Sequence, residues 1–311
     1  MSRQWIRACK LTVEGENGVI DLSEMRIRFS VTQHTLQTPN ALDARITNLS
    51  DDTVSRIQGE GKSVSLEAGY QDGYGLIFRG LIIQKRKGRE NPVDTYLDIL
   101  AQGGDTAYNF ALVKKTLAAG HTFRDQVDAA LEAMKPYGIT AGYITDLGSK
   151  KMPRARVLFG MARDVLRTVA FSTGTSWSIQ NDQLVITKDA ETLPGAAIVL
   201  NSRTGMIGLP EQTDLGIQVT CLLNPQIRPS SRIQINQKDI QQAKLSADYL
   251  GVVNNAQIPP LADDGFYKVW TVSHAGDTRG DPWYTTAICT RADGKGQIPT
   301  GLVSKGIEVA Q

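Results

Sequence analysis

The segment ALDARITNLSDDTVSRIQGEGKSVSLEAGYQDGYGLIFRG, residues 41–80, decides the fold of this 311-residue chain. Residues 41–48 alternate apolar and polar side chains, which is the period of a half-buried strand. Ser50 is placed to cap one short helical turn. A glycine-rich turn at 59–62 leads into a second alternating strand at 64–70, and a tight turn reverses the chain into a third strand. Strand, helical turn and hairpin together form a scaffold, and none of these residues is placed for chemistry.

Length and composition indicate a multi-domain protein with ordinary cores. The chain exceeds a typical single domain, so we expect two or three compact units. No run approaches the ~18 uninterrupted apolar residues of a membrane span, and the N-terminus lacks the apolar region of a signal peptide. We therefore expect synthesis in the cytoplasm and no membrane insertion. The net charge of +2 argues against a dedicated nucleic-acid-binding surface, and the three separated cysteines indicate reduced core residues.

The pattern of strands and helices divides the chain. The region up to about residue 102 is almost entirely strand-like, the helical period appears after Gly120, and the strand pattern returns past Gly195. The predicted domains are an N-terminal β domain at 1–114, an inserted α+β domain at 115–194, a second β domain at 195–293 and a C-terminal tail at 294–311.

The predicted insert has clear helix and hairpin signals. Apolar residues recur at the helical period over 122–134, and Pro136 and Gly138 end that helix. A second helix is predicted near 161–171. Residues 177–186 then form a tight hairpin around an Asn-Asp turn.

A weak internal repeat relates the two β regions. The hairpin formed by 75–83 and 94–100 has the same layout as the one formed by 265–272 and 283–289. Upstream, the strands at 217–221 and 232–235 match those at 42–48 and 64–70. We therefore predict two copies of one β module, one on each side of the insert.

The strand at 267–272 requires burial on both faces. Tyr267 and Val269 point one way, and Trp270 and Val272 point the other. A sheet wall that packs against a neighbouring subunit would supply this burial.

Motifs for catalysis are missing from the sequence. His34, His121 and His274 lie in different segments, and neither a Gly-x-Ser-x-Gly elbow nor a His-Glu-x-x-His motif occurs. The Gly-Lys-Ser at 61–63 is not a phosphate-binding loop, because Arg56 occupies the position of the required first glycine. We therefore predict no catalytic residue and no cofactor site.

Three further polar clusters have ordinary explanations. His274, Asp277 and Asp281 could surround a divalent ion, but turns between long strands collect Asp and Gly for backbone reasons, so no metal site is predicted. The basic tip at 85–89 and the basic loop at 148–156 are interpreted as solvated, with docking to an acidic partner as the alternative.

Several stretches, in order along the chain, resemble one known family. These are NALDARITNLSDDTVSRI and VSLEAGYQDGYGLIFRGLI, followed by residues 199–210, 221–225 and 267–280. The chain resembles the baseplate hub proteins of contractile-tailed bacteriophages, of the kind found in Pseudomonas phages. The resemblance covers most of the chain.

The resemblance implies a fold and a function. The implied fold is β-rich α+β, with two tail-tube-like antiparallel β-barrel or sandwich domains that flank a small α+β insert. The implied function is a structural, non-enzymatic homotrimeric ring that joins the sixfold tail tube to the threefold central spike and encloses the DNA channel. The implied partners are a tail tube protein or tube-terminating ring, the spike, and baseplate wedge and tape-measure proteins. DNA would pass through without specific binding, and the protein would reside in the virion tail baseplate.

Two alternatives remain open. A spike-hub component of a contractile secretion or bacteriocin particle would share this architecture. A tail-associated cell-wall hydrolase is disfavoured, because the insert shows no separated pair of acidic residues in a site-like context.

Overall fold

A computed structural model describes residues 5–213, 215–241 and 261–293. Its helices are α1 (Asp51–Glu60), α2 (Asp105–Phe110), α3 (Phe123–Met134) and α4 (Ala162–Thr173). Its strands are β1 (Arg7–Gly15), β2 (Gly18–Asp21), β3 (Arg26–His34), β4 (Ala41–Thr47), β5 (Ser63–Tyr70), β6 (Gly75–Arg89), β7 (Thr95–Gln102), β8 (Leu112–Leu117), β9 (Thr140–Ile144), β10 (Arg156–Met161), β11 (Thr175–Gln180), β12 (Gln183–Lys188), β13 (Ile198–Leu200), β14 (Met206–Thr213), β15 (Gly216–Leu222), β16 (Arg232–Ile235), β17 (Phe266–Asp277) and β18 (Trp283–Arg291).

The N-terminal strands form an antiparallel sheet in the order β3-β4-β7-β6-β5-β1-β2. Helix α1 connects β4 to β5 and is capped as predicted, because the Ser50 hydroxyl accepts a hydrogen bond from the Thr53 N–H. The expected single turn is wrong in length, since α1 has 10 residues. Val54 and Ile57 lie one turn apart and are both buried, so packing extends the helix through the glycine-rich stretch.

The C-terminal strands repeat this order. They run β14-β15-β18-β17, and β16 then pairs with the start of β17 and β13 with β16. Each strand therefore has a counterpart in the N-terminal half: β14 for β3, β15 for β4, β18 for β7, β17 for β6 and β16 for β5. One difference is that β13 runs parallel to β16, whereas β1 runs antiparallel to β5.

The register of the two halves also agrees. In β6, Ile83 bulges out of the pairing with β7, and in β17 Trp270 bulges out of the pairing with β18. Counted from these bulges, equivalent positions make equivalent pairs, namely Val64–Gly80 with Ile233–Tyr267, Ile82–Ala101 with Val269–Cys289, and Leu42–Ala101 with Ile217–Cys289. One strand order and one register thus describe both halves, as the predicted internal repeat requires.

A seam of backbone pairing joins the two halves. β3 pairs antiparallel with the second part of β17, from His34 opposite Thr271 to Arg28 opposite Asp277. The result is one continuous sheet whose path runs from β14 to β2. The Arg7 guanidinium of β1 donates to the Asp277 carbonyl at the end of β17, at 3.0 Å. β1 and β17 are therefore linked by a side-chain hydrogen bond and not by strand pairing. The β-rich α+β class is confirmed, but closed barrels are not formed by the strands described.

The insert is a separate small α+β unit. It contains the pair β8–β10, the sheet β11-β12-β9, and helices α3 and α4. Thr122 begins α3 with a capping box to Asp125. The predicted hairpin turn is present, with Asn181 and Asp182 at φ values of 49° and 63°.

Three hydrophobic cores lie beneath these sheets. The first belongs to the N-terminal strands but includes Leu223 and Trp283 from the C-terminal half. The second runs from Ala107 to Ile186, so it begins before the predicted insert boundary at 115, and the third lies within the C-terminal half. The shared first core couples the two halves. Across the described ranges, no helix has the length and apolar character needed to span a membrane.

Candidate assembly surface

His34, His121 and His274 each contact a different polar group nearby. His274 is fully buried, its Nδ1 is 2.8 Å from the Thr285 hydroxyl, and burial lowers its pKa to about 3. His34 Nε2 lies 3.2 Å from the Thr38 hydroxyl, and His121 Nδ1 lies 2.8 Å from a backbone carbonyl. The three histidines therefore serve three separate local networks.

Asp277, one of the three residues considered as metal ligands, forms an ion pair with Arg26. Asp277 accepts hydrogen bonds from Arg26 at 2.7 and 3.3 Å. Burial alone would raise the pKa of Asp277, but the hydrogen bonds from Arg26 and the Arg279 backbone outweigh it, so this pKa is lowered. Within the described part of the chain, no group of three or more His, Cys, Asp or Glu residues could hold a metal ion.

The Gly-Lys-Ser stretch ends a helix. A Cβ on Gly61 would lie 2.7 Å from the Ile57 carbonyl oxygen and 2.9 Å from the Val13 side chain, so the close approach requires glycine. The Lys62 ammonium lies 2.7 Å from the Glu16 carboxylate. The backbone is thus packed against its own helix.

Two basic residues in the 85–89 stretch of β6 contact helix α1, whereas the sequence predicts a solvated tip. Lys85 Nζ donates to three carbonyls at the end of α1, at 2.9–3.0 Å. Lys87 pairs with Asp51 at the start of the same helix. The basic loop at 148–156, in contrast, is mostly exposed, and the tail at 294–311 lies outside the described residues.

A row of charged side chains crosses the outward face of the sheet, which is the face opposite the hydrophobic cores. Directly paired residues share a face, so the row can be followed across five neighbouring strands. It consists of Arg86, Asp98, Arg45, Arg28 and Asp277. The sequence shows these residues as parts of separate alternating strands and does not show that they form one line.

Asp98 is the centre of this row. Its carboxylate accepts from Arg45 at 2.6 and 3.0 Å and from Arg86 at 2.9 Å, while Asp98 itself is only 5% exposed. Burial raises the pKa of Asp98, but the hydrogen bonds from the two arginines outweigh burial and lower it. The Arg45 guanidinium also lies 4.0 Å from the centre of the Tyr96 ring. Asp98 therefore remains charged and holds both guanidiniums.

Lys268 marks the junction between the insert and the C-terminal strands, and sequence reasoning missed it. Its side chain is fully buried, and Nζ donates to the carbonyls of Lys188 and Asp189 at 2.8 and 3.4 Å. Burial lowers its pKa to about 8. The sequence shows Lys268 only as the polar residue of a largely apolar strand, and the packed insert removes it from water.

One stretch of strand edge is unpaired. Residues 84–89 of β6 pair with β7 on one side and with no strand on the other within the described ranges. The equivalent stretch of β17 has β18 on one side and β3 on the other. An unpaired edge of this length is a template for another strand.

Comparison with known proteins gives the family. The family described as Baseplate hub gp41 matches residues 30–238, about two thirds of the chain. No curated protein sequence matches at a significant level.

Similar folds occur in three solved structures. The 43 kDa tail protein of prophage MuSo2 from Shewanella oneidensis has a TM-score of 0.58 at 10% identity, covering 92% of this chain and 98% of that one. A tail protein from Neisseria meningitidis MC58 has a TM-score of 0.58 at 12% identity, covering 95% and 98%. An E. coli type VI secretion component, described as structurally similar to T4 tail proteins gp27 and gp5, has a TM-score of 0.51 at 11% identity, covering 88% and 76%. These likenesses concern the fold, and the family match to residues 30–238 places the chain in the baseplate hub gp41 family.

Proposed function

We propose that this protein is a structural, non-enzymatic hub of a phage tail baseplate and that three copies close into a ring. The ring joins a sixfold tail tube to a threefold central spike and encloses the channel for DNA. It resides in the virion tail, and its partners are the tube or tube-terminating ring, the spike, and neighbouring wedge and tape-measure proteins.

The repeated strand order is the observation that carries this proposal. Each chain contains two β modules of one design, joined where β3 of the first pairs with β17 of the second. The counterparts of this seam are β14 of the second module and β6 of the first. A contact between chains that repeats the seam would therefore add β14 of one copy to the free edge of β6 in the next.

The state of the two edges fits such a contact. Among the described residues, the β6 edge at 84–89 pairs with no second strand, and the outer edge of β14 carries one bridge, from Glu211 to Gln241. That bridge has two backbone hydrogen bonds, of 3.0 and 2.7 Å. A ladder of the length seen at the β3–β17 seam would replace it with more bonds, which favours the exchange.

The repeat supports the proposed symmetry. A head-to-tail contact forms a closed ring when its rotation closes. Three chains with two similar modules each present six similar modules toward the tube and three identical units toward the spike. We assign 1–114 and 195–293 to the two modules, 115–194 to the insert and 294–311 to a tail available for partners.

A second candidate is the equivalent spike-hub part of a contractile secretion particle. The similar fold of the E. coli type VI component, which is described as structurally similar to T4 tail proteins, favours it. The two candidates differ in particle and not in mechanism.

Engineered disulfides test the proposed contact. By register, Arg86 takes the place of Ser273, and Thr213 takes the place of Thr32, which pairs with Ser273 at the seam. Arg86→Cys with Thr213→Cys should give covalent dimers and trimers on a non-reducing gel. Two of the native thiols, Cys9 and Cys221, are held unreactive because burial raises their pKa to about 12.

The matched control is Thr32→Cys with Ser273→Cys. It should give a disulfide within one chain, seen by peptide mass spectrometry. If the control pair forms its bond and the first pair forms none between chains, β14 does not add to β6.

A further inference from the structure

The outward face of the sheet is polar over most of its breadth. Two rows from the charged row on this face, a further row crosses four strands and carries hydroxyl side chains, namely Thr32, Ser273, Thr286 and Thr220. The opposite face carries the buried apolar residues of the first and third cores. The outward face is therefore more polar than the core face, although it also carries Ala275, Leu100 and Tyr284.

The four arginines in or next to the charged row, Arg26, Arg28, Arg45 and Arg86, each form an ion pair. Arg26 binds Asp277 at 2.7 Å, and Arg28 binds Glu90. Arg45 and Arg86 share Asp98. These cations are thus held by carboxylates of the same surface.

The position of the cores decides which face a ring would turn inward. In the first module, Val54 and Ile57 of helix α1 pack into the core on the apolar face, so the helix lies on that side of the sheet. A ring that closes through strand edges leaves a central opening only when this side is outside. The polar face then surrounds the opening.

We propose, on the basis of the proposed ring, that this polar face lines the channel and that Asp98 keeps Arg45 and Arg86 from binding the phosphates of passing duplex DNA. A free guanidinium binds phosphate in a bidentate manner, and each such contact adds a salt-dependent increment of affinity. A guanidinium already bound to a carboxylate offers less of this, since its donors and its charge are engaged. In a threefold ring, each Asp98 engages both guanidiniums of its chain and offsets one of their two positive charges.

Asp98→Asn tests the role of this carboxylate, because it retains the shape and removes the charge. We expect the variant ring to bind a short duplex at least about tenfold more tightly than the parent in fluorescence anisotropy at low salt, and to lose that binding steeply as salt rises. Asp43→Lys is the second variant, since Asp43 is exposed on the same face and its replacement disturbs no core. It should increase binding in the same way.

Glu132→Gln is the matched control. It removes the carboxylate that pairs with Lys115 on the surface of the insert, away from this face, and should leave DNA binding unchanged. If Asp98→Asn and Asp43→Lys bind DNA no better than Glu132→Gln, the proposed neutralisation is wrong.

A duplex blocked at both ends with streptavidin tests the position of the face. Added to preformed rings of Asp98→Asn, it should fail to bind, whereas the open-ended duplex binds. Equal binding of both would place the face outside the ring. Native mass spectrometry of the same samples separates this result from a failure of the ring itself, because loss of the trimer would overturn the proposed function instead.

Discussion

Replacing Trp283 with phenylalanine should destabilise the protein markedly, because this side chain couples the two halves. Trp283 belongs to β18 but lies in the core of the N-terminal strands, where it is 1% exposed. Its ring meets Phe29 edge to face at 5.5 Å. Its Nε1–H donates to the Gly69 carbonyl of β5 at 3.0 Å.

Two losses contribute to the expected effect. A buried carbonyl left without its donor costs about 1–3 kcal/mol. The smaller ring also gives up apolar contact worth about 1–2 kcal/mol. Trp283→Phe should therefore lower the free energy of unfolding by about 2–5 kcal/mol.

Trp177→Phe is the matched control. Trp177 is equally buried in the insert core, but its Nε1–H has no acceptor among the described residues. The substitution loses similar packing but also removes an unsatisfied donor, so we expect a change within about 1 kcal/mol of zero.

Urea unfolding followed by far-ultraviolet circular dichroism measures both variants. A shift of midpoint at constant slope reports the change in stability. Equal losses for the two variants would refute the coupling role assigned to the bond between Trp283 and Gly69.

Further substitutions test the packing of the seam and the buried histidine. Gly276→Ala should lower the free energy of unfolding by about 1–3 kcal/mol in the same assay, because the new Cβ would lie 2.5 Å from the Phe29 ring. Gly59→Ala in α1, where no atom lies within 4 Å of the new Cβ, should instead raise it by about 0.5–1 kcal/mol. A neutral Gly276→Ala would contradict the close approach. His274 has its pKa lowered to about 3 in the folded state and near 6.5 when unfolded, so the unfolded chain takes up the proton first and stability falls as pH drops below 6.5, by at most about 1.4 kcal/mol per pH unit. His274→Gln can keep the bond to Thr285 and should reduce this loss between pH 6.5 and 4.5, measured by urea midpoints; an unchanged pH dependence would show that His274 does not titrate as described.

Local patterns in the sequence predict much of the fold. The amphipathic period of α3, the Thr122 cap and the Asn-Asp turn of the β11–β12 hairpin each depend on neighbours a few residues away. The strand layout of the two modules also follows from alternation and turns. These features are set by local physical chemistry, so the sequence displays them.

The features that position the assembly surface depend on distant residues. Asp98 and Arg45 are 53 residues apart, and Arg26 and Asp277 are 251 apart, so no spacing rule could pair them. The sequence predicts too short a helix α1, because burial of Ile57 and not helix propensity stabilises the residues beyond its first turn. The seam between β3 and β17 likewise exists only in the folded sheet.

The central claim is that two β modules per chain close threefold. Native mass spectrometry of the purified full-length protein tests it most directly. We expect a dominant species at three times the 33.9 kDa chain mass. A monomer at every concentration, or an even-numbered assembly, would contradict the claim.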